Sequence, residues 1–314
     1  MSTCSIIIPV FNAEQNLEKL HKQLVPAVEA IASDFEIILI DDRSIDASWE
    51  VITKLQKSDS RVQGIRLSRN YGQHNALLCG IRAAQFETII TMDDDLQNPA
   101  SEISKLTDML KDGFDVVYGT PKTKQFNVLR NFATRLTKLV LQGVMGADNA
   151  KNVSAFRAFK TQLRDGFVTY NSPYVSIDVL LTWTTSNFTA VEVEHLPREA
   201  GKSNYSFRML AAHAIDLMTG FSTVPLRFAS VMGFVFTLFG FLVLAWVIGR
   251  VLLFDASVPG FPFLASIIAI FSGAQLFTLG VFGEYLARIH FRTMKKPAYC
   301  ICTTTKELDT KDEL

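Results

Sequence analysis

The chain has 314 residues, enough for one large domain or two small ones. Lysine plus arginine and aspartate plus glutamate both number 31, so the net charge is zero and a globally basic nucleic-acid binder is excluded. Hydrophobic residues reach 48%, high for a wholly soluble enzyme, and the excess is concentrated toward the C-terminus.

Residues 5–10 read as a strand, and residues 13–31 carry an apolar repeat of helical period. A second strand at 35–40 ends on Asp41-Asp42, and 46–57 can be helical. A third strand at 62–67 precedes small, helix-favouring residues over 74–85. The β-branched run 88–92 makes a fourth strand, followed by a helix at 100–111 and a fifth strand at 115–118. This alternation predicts an α/β fold with a mostly parallel, Rossmann-like sheet covered on both faces. No G-x-G-x-x-G or GK[ST] loop occurs, so phosphate charge is to be met by metal and by Arg or Lys. Residues 127–144 read as a helix bearing Arg130, Arg135 and Lys138, and 189–195 as a late strand.

Residues 204–224 mix Phe207, Leu210 and Phe221 with Arg208, His213 and Asp216. That pattern fits an amphipathic helix at a membrane interface, with an ordinary core-facing helix as the alternative. Residues 228–254 are apolar apart from Arg250, and 261–282 carry no charge; each run is long enough to span a bilayer. Joined by the short link 255–260, they are expected to form a hairpin. Arg227 before it and Arg288, Arg292, Lys295 and Lys296 after it place both ends on the cytoplasmic side. No secretory signal is read at the N-terminus.

The expected organisation is a cytoplasmic catalytic domain over 1–203 and juxtamembrane amphipathic helices over 204–227. Two spanning helices (about 228–254 and 261–283) follow within 228–289, then a cytoplasmic tail over 290–314, polar and frayed from 303. Lys311 to Leu314 match an endoplasmic-reticulum retrieval signal, which acts only in the lumen; with the tail inside, the match is coincidence. Cys4, Cys79, Cys300 and Cys302 have no zinc spacing and are expected as free thiols, with palmitoylation of Cys300 or Cys302 as the alternative.

The informative polar groups lie at three strand ends. Asn12 and Glu14 follow the first strand, Asp41, Asp42, Ser44 and Asp46 the second, and Asp93-Asp94-Asp95-Leu96-Gln97 the fourth. Ligands of open α/β sheets sit in the crevice beyond the carboxyl ends of strands. Packed carboxylates repel unless a cation or solvent relieves them, and oxygen ligands suit Mg²⁺ or Mn²⁺ held jointly with substrate phosphates. Strand alternation points Asp93 and Asp95 one way and Asp94 the other. A solvated acidic turn opening a helix at Pro99 is the plainer alternative. A nucleoside diphosphate, its metal on the phosphates, satisfies all three strand ends together.

The series 5–12, Asp41-Asp42-x-Ser44-x-Asp46, Arg69-Asn70-x-Gly72, Asp93 to Pro99, Phe156-Arg157 and Arg198 to Tyr205 closely resembles family-2 glycosyltransferases. Within them it resembles the polyprenyl-phosphate glycosyltransferases, the dolichol-phosphate mannose synthase-like group whose bacterial members have two C-terminal spanning helices. The resemblance covers about residues 5–290. It implies a GT-A fold and inverting transfer of a sugar from a nucleotide donor to a polyprenyl phosphate at the inner, plasma membrane, for surface glycan synthesis. By motif matching, Pro9, Phe11, Asn12, Glu14, Asp41, Asp42 and Asp94 border the nucleotide, while Asp93, Asp95 and Gln97 hold Mg²⁺ or Mn²⁺. Arg130, Arg135 and Arg157 lie near phosphate, and Arg198, Lys202 and Ser203 belong to a mobile acceptor loop. Relatives also imply a homo-oligomer. The resemblance implies, for some bacterial members, an Asp beside the Phe-Arg pair; here that pair has no neighbouring carboxylate, no base is assigned, and Asp178 is the nearest substitute. Two rival functions are a glycosyltransferase extending a lipid-linked saccharide, whose Q-x-x-R-W-type motif is lacking, and a non-catalytic nucleotide-sugar-binding scaffold.

Overall fold

A computed structural model describes residues 2–122, 152–196, 220, 223–254 and 260–305. The chain divides into two compact units, Met1–Ala214 with Lys295–Leu314, and Ile215–Met294.

The first unit is built on β1 (Ser2–Val10), β2 (Ala32–Asp41), β3 (Val62–Leu67), β4 (Thr88–Thr91), β5 (Val116–Pro121), β6 (Arg157–Lys160), β7 (Phe188–Val193) and β8 (Ile301–Thr304). They form one sheet in the order β7-β5-β6-β4-β1-β2-β3-β8. Pairings from β4 through β1 and β2 to β3 are parallel, as is β5 with β7, whereas β6 and β8 run antiparallel to their neighbours. A β-branched run such as Ile6-Ile7-Ile8 is buried throughout because helices cover both faces.

Helices α1 (Leu17–Glu29), α2 (Ser48–Ser58) and α4 (Ile103–Lys111) supply one core through Leu20, Leu24, Ile52 and Leu106, joined by Ile6 and Ile8. Helix α3 (Gln73–Ala83) and the short α5 (Ile177–Thr182) supply the other, with Leu77, Ile81 and Leu180 against Ile7 and Ile40. Helix α3 lies so close to the sheet that a Cβ on Gly80 would meet Ile7 Cγ2 at 2.4 Å. Cys4 and Cys79 are free, buried thiols whose pKa burial pushes up to about 12, so they are inert at neutral pH; Cys300 and Cys302 are free and exposed.

Strands β6 and β8 are absent from the sequence reading, and β8 corrects it. Residues expected as a frayed tail from 303 complete the sheet edge: Thr303 pairs with Arg66, Gly64 N–H donates to Thr305 Oγ1 at 3.0 Å, and Thr305 is 1% exposed.

The second unit holds α6 (Val224–Phe254) and α7 (Phe261–Thr293), which pack through Phe236 and Phe271 with ring centroids 5.7 Å apart. Helix α6 starts four residues before its expected start at 228, and α7 runs ten beyond its expected end at 283. Over Val224–Gly249 it is long and apolar enough to cross a membrane. The amphipathic segment expected at 204–227 lies mostly outside the described residues.

Candidate active site

The segments leaving β1, β2 and β4 each pass through a left-handed residue that is not glycine: Asn12 (φ 56°), Arg43 (φ 62°) and Leu96 (φ 60°). Such backbone persists only where its surroundings over-determine it. Here hydrogen bonds between the loops do so. Asn12 N–H donates to Ser44 Oγ at 3.0 Å, and Ile45 N–H returns to Asn12 Oδ1 at 2.9 Å. Glu14 N–H donates to Asp46 Oδ2 at 3.1 Å, and Ala47 N–H to Glu14 Oε2 at 2.9 Å. Phe11 N–H reaches Asp94 Oδ2 at 3.2 Å and so ties the first strand end to the acidic segment. Three strand ends therefore form one interlocked rim.

Within the acidic segment the carboxylates have different partners. Asp93 Oδ1 accepts from the Gln73 side chain at 2.6 Å, and Asp95 Oδ1 accepts from Gln97 N–H at 3.2 Å. Burial, with Asp93 and Asp95 beside it, pushes the Asp94 pKa up to about 7, against the pull of the Phe11 N–H. Gln97 is pinned to the end of β7: Leu196 N–H donates to Gln97 O at 2.8 Å, and Gln97 Nε2 to Leu196 O at 3.4 Å. Among the described residues no group of three or more His, Cys, Asp or Glu converges on one metal position. Two carboxylates and an amide are an incomplete oxygen set, and that is the donor set expected for a cation completed by substrate phosphates. By donor chemistry these residues would suit such an ion.

Other expected site residues are placed differently. Phe11 is 48% exposed and offers its ring at the rim, whereas Pro9 is buried within β1. Asp41 and Asp42, expected to border the nucleotide, are 0% and 3% exposed. Asp41 accepts from Ser44 N–H at 2.8 Å and faces Arg66 Nε at 3.0 Å, an ion pair without hydrogen-bond geometry. Asp42 takes the amides of Tyr71 and Gly72, both at 2.7 Å, against the upward pull of burial on its pKa. Desolvated carboxylates have found internal donors and hold the loops.

Arg157 is placed in the interior. It is 2% exposed and pairs with Asp178, while its Nε donates to Thr91 Oγ1 at 3.2 Å. Tyr118 donates to the same Asp178 carboxylate at 3.0 Å, and burial with that neighbour keeps its hydroxyl protonated far above the usual range. The Arg157–Asp178 pair thus lies inside the domain. Arg157→Ala is expected to cost about 3–5 kcal/mol by stranding the buried Asp178 charge, with Arg157→Met/Asp178→Leu recovering most of it in thermal unfolding. A stable but inactive Arg157→Ala would return this residue to the ligand. Arg130, Arg135, Arg198, Lys202 and Ser203 lie outside the described residues. Gln73 was missed, because nothing in its local sequence signals a partner twenty residues on.

The doubly wound sheet with a linked acidic rim at its carboxyl edge defines a ligand crevice of the α/β kind. The model of the family described as glycosyl transferase family 2 matches residues 5–172. Relatives from Salmonella choleraesuis and Salmonella agona are 34% identical over 300 residues, 95% of this chain and 92% of theirs. Both are undecaprenyl-phosphate 4-deoxy-4-formamido-L-arabinose transferases. Two structures of glucosyl-3-phosphoglycerate synthase from Mycobacterium tuberculosis share the fold. One contains Mn²⁺, uridine diphosphate and glucosyl-3-phosphoglycerate (TM-score 0.50, 16% identity, 69% of this chain and 78% of that one). The other contains Mg²⁺ and uridine diphosphate (TM-score 0.50, 14% identity, 69% and 77%). The chain belongs to glycosyl transferase family 2 and is a glycosyltransferase with the GT-A arrangement expected from its sequence.

Proposed function

We propose that this enzyme moves a monosaccharide from a nucleotide-diphosphate sugar to a polyprenyl phosphate of the undecaprenyl kind, on the cytoplasmic face of the inner membrane, to supply or modify a surface glycan. The observation that carries this reading is the extent of the likeness to the Salmonella transferases. At 95% of the chain it takes in the apolar helices as well as the catalytic domain. Helix α6 supports an anchor by its length and composition, and the basic residues on either side of the pair support a cytoplasmic catalytic domain.

Asp93, Asp95 and Gln97 would hold Mg²⁺ or Mn²⁺ on the donor diphosphate, where the ion offsets charge on the leaving group as a Lewis acid. Phe11 and the rim loops border the nucleotide. The acceptor phosphate is ionised near neutral pH, so its oxygen can attack the anomeric carbon directly, with inversion, and no protein base is required. Arg130, Arg135, Arg198, Lys202 and Ser203 are the candidate phosphate contacts, the arginines by their planar fork of donors. A homo-oligomer is compatible with this reading.

Membranes carrying the protein, incubated with a panel of labelled nucleotide sugars and then extracted with organic solvent, are expected to put label into the lipid phase with one donor. Label appearing only in a pre-formed lipid-linked saccharide would replace this reading with chain extension. No lipid label with any donor would remove it.

A further inference from the structure

Gln73 opens α3, and its side-chain amide donates to Asp93 Oδ1 at 2.6 Å. The chain reaches Gln73 through Gly72, at φ 93°, where a side chain would be strained. Asp42, at the end of β2, grips the amides of both preceding residues, and Asn75 Nδ2 closes the turn on Tyr71 O at 2.6 Å. Asn75 also reaches Pro173 O at 3.3 Å, so the turn is fixed against the loop before α5 as well. The amide is thus delivered to the acidic segment by β2 and α3, from outside the segment itself. Asp95 Oδ1 accepts from Gln97 N–H within its own turn.

We propose that Gln73 is a positioning residue that fixes the rotamer of Asp93, so the carboxylate meets its ligand already ordered. This rests on the assignment of Asp93 to the metal of the donor complex. A carboxamide is suited to the task because it donates a hydrogen bond without adding a charge of its own. A lysine at the same place would form an ion pair and compete with the cation.

The test is a double-mutant cycle of Gln73→Leu and Asp93→Asn in the full-length protein, read as Mn²⁺ uptake in the presence of uridine diphosphate by electron paramagnetic resonance. Gln73→Leu is expected to weaken Mn²⁺ uptake about tenfold alone and to add nothing in the Asp93→Asn background. An equal loss in both backgrounds, or none in the native one, overturns the proposal. Gln73→Lys is expected to bind Mn²⁺ more weakly than Gln73→Leu; native affinity there would overturn the argument from charge. Should the native protein take up no Mn²⁺, the metal assignment fails by itself. The same cycle on affinity for the donor identified by the labelled panel then decides whether Gln73 acts through Asp93.

Discussion

Asp93→Ala or Asp95→Ala is expected to lower sugar transfer to lipid by on the order of a thousandfold or more, because a Lewis acid on a leaving diphosphate would contribute several kcal/mol to the transition state. Both side chains are only partly buried and sit on a rim segment after β4, so neither removal opens the core. Thermal stability and membrane insertion are expected to stay close to native, as for most substitutions away from packed positions. The measurement is initial transfer rate against Mn²⁺ or Mg²⁺ concentration in reconstituted membranes, with unfolding followed in parallel. Native rates in excess chelator, or an alanine variant that transfers at full speed, would discard the metal role. Asp94→Asn is a useful contrast, since an amide oxygen can still accept from Phe11 N–H and hold the rim together.

Removing residues 298–314 is expected to unfold or severely destabilise the catalytic domain, although it leaves every expected catalytic residue in place. The deletion strips β8 from β3, frees Ser68 N–H from Cys300 O at 2.9 Å, and removes Thr305 from its seat against Gly64. Each lost hydrogen bond is worth about 0.5–1.5 kcal/mol, more where a buried partner stays unsatisfied. Several together consume much of the roughly 5–15 kcal/mol that holds a domain folded. Deleting only 306–314 spares the strand and should leave donor binding native. Chemical denaturation of the two truncations distinguishes the cases; equal midpoints would mean that β8 contributes nothing. It also follows that cutting the chain at 228 is no clean way to free a soluble catalytic domain, since part of that domain lies beyond the helices.

The parallel half of the fold was readable because β1, β2 and β4 contain aliphatic or β-branched runs bounded by turn residues; β3, though broken by Gln63, Gly64 and Arg66, matches its predicted limits at 62 and 67. Strand β6 was not, since Arg157-Ala-Phe-Lys160 is too short to show a period and its arginine looks like a surface cation. Only the fold reveals Asp178 and Tyr118 next to it. Strand β8 escaped for a related reason: Ile301-Cys-Thr-Thr304 acquires meaning only from β3, more than 230 residues earlier. At the site, residue types picked out polar groups at three strand ends, and hydrogen bonds link those loops. Residue types did not say which carboxylates face inward. Asp41 and Asp42 are indistinguishable in sequence from Asp93 and Asp95; Asp41 takes an amide three residues on, whereas Asp42 takes amides 29 and 30 residues on.

The return of β8 to the sheet has a consequence of pure counting. The polypeptide leaves the catalytic body before α6 and rejoins that same body after α7. Whatever bilayer the intervening helices traverse, they do so an even number of times, for an odd tally would strand the closing strand across the lipid from its mate.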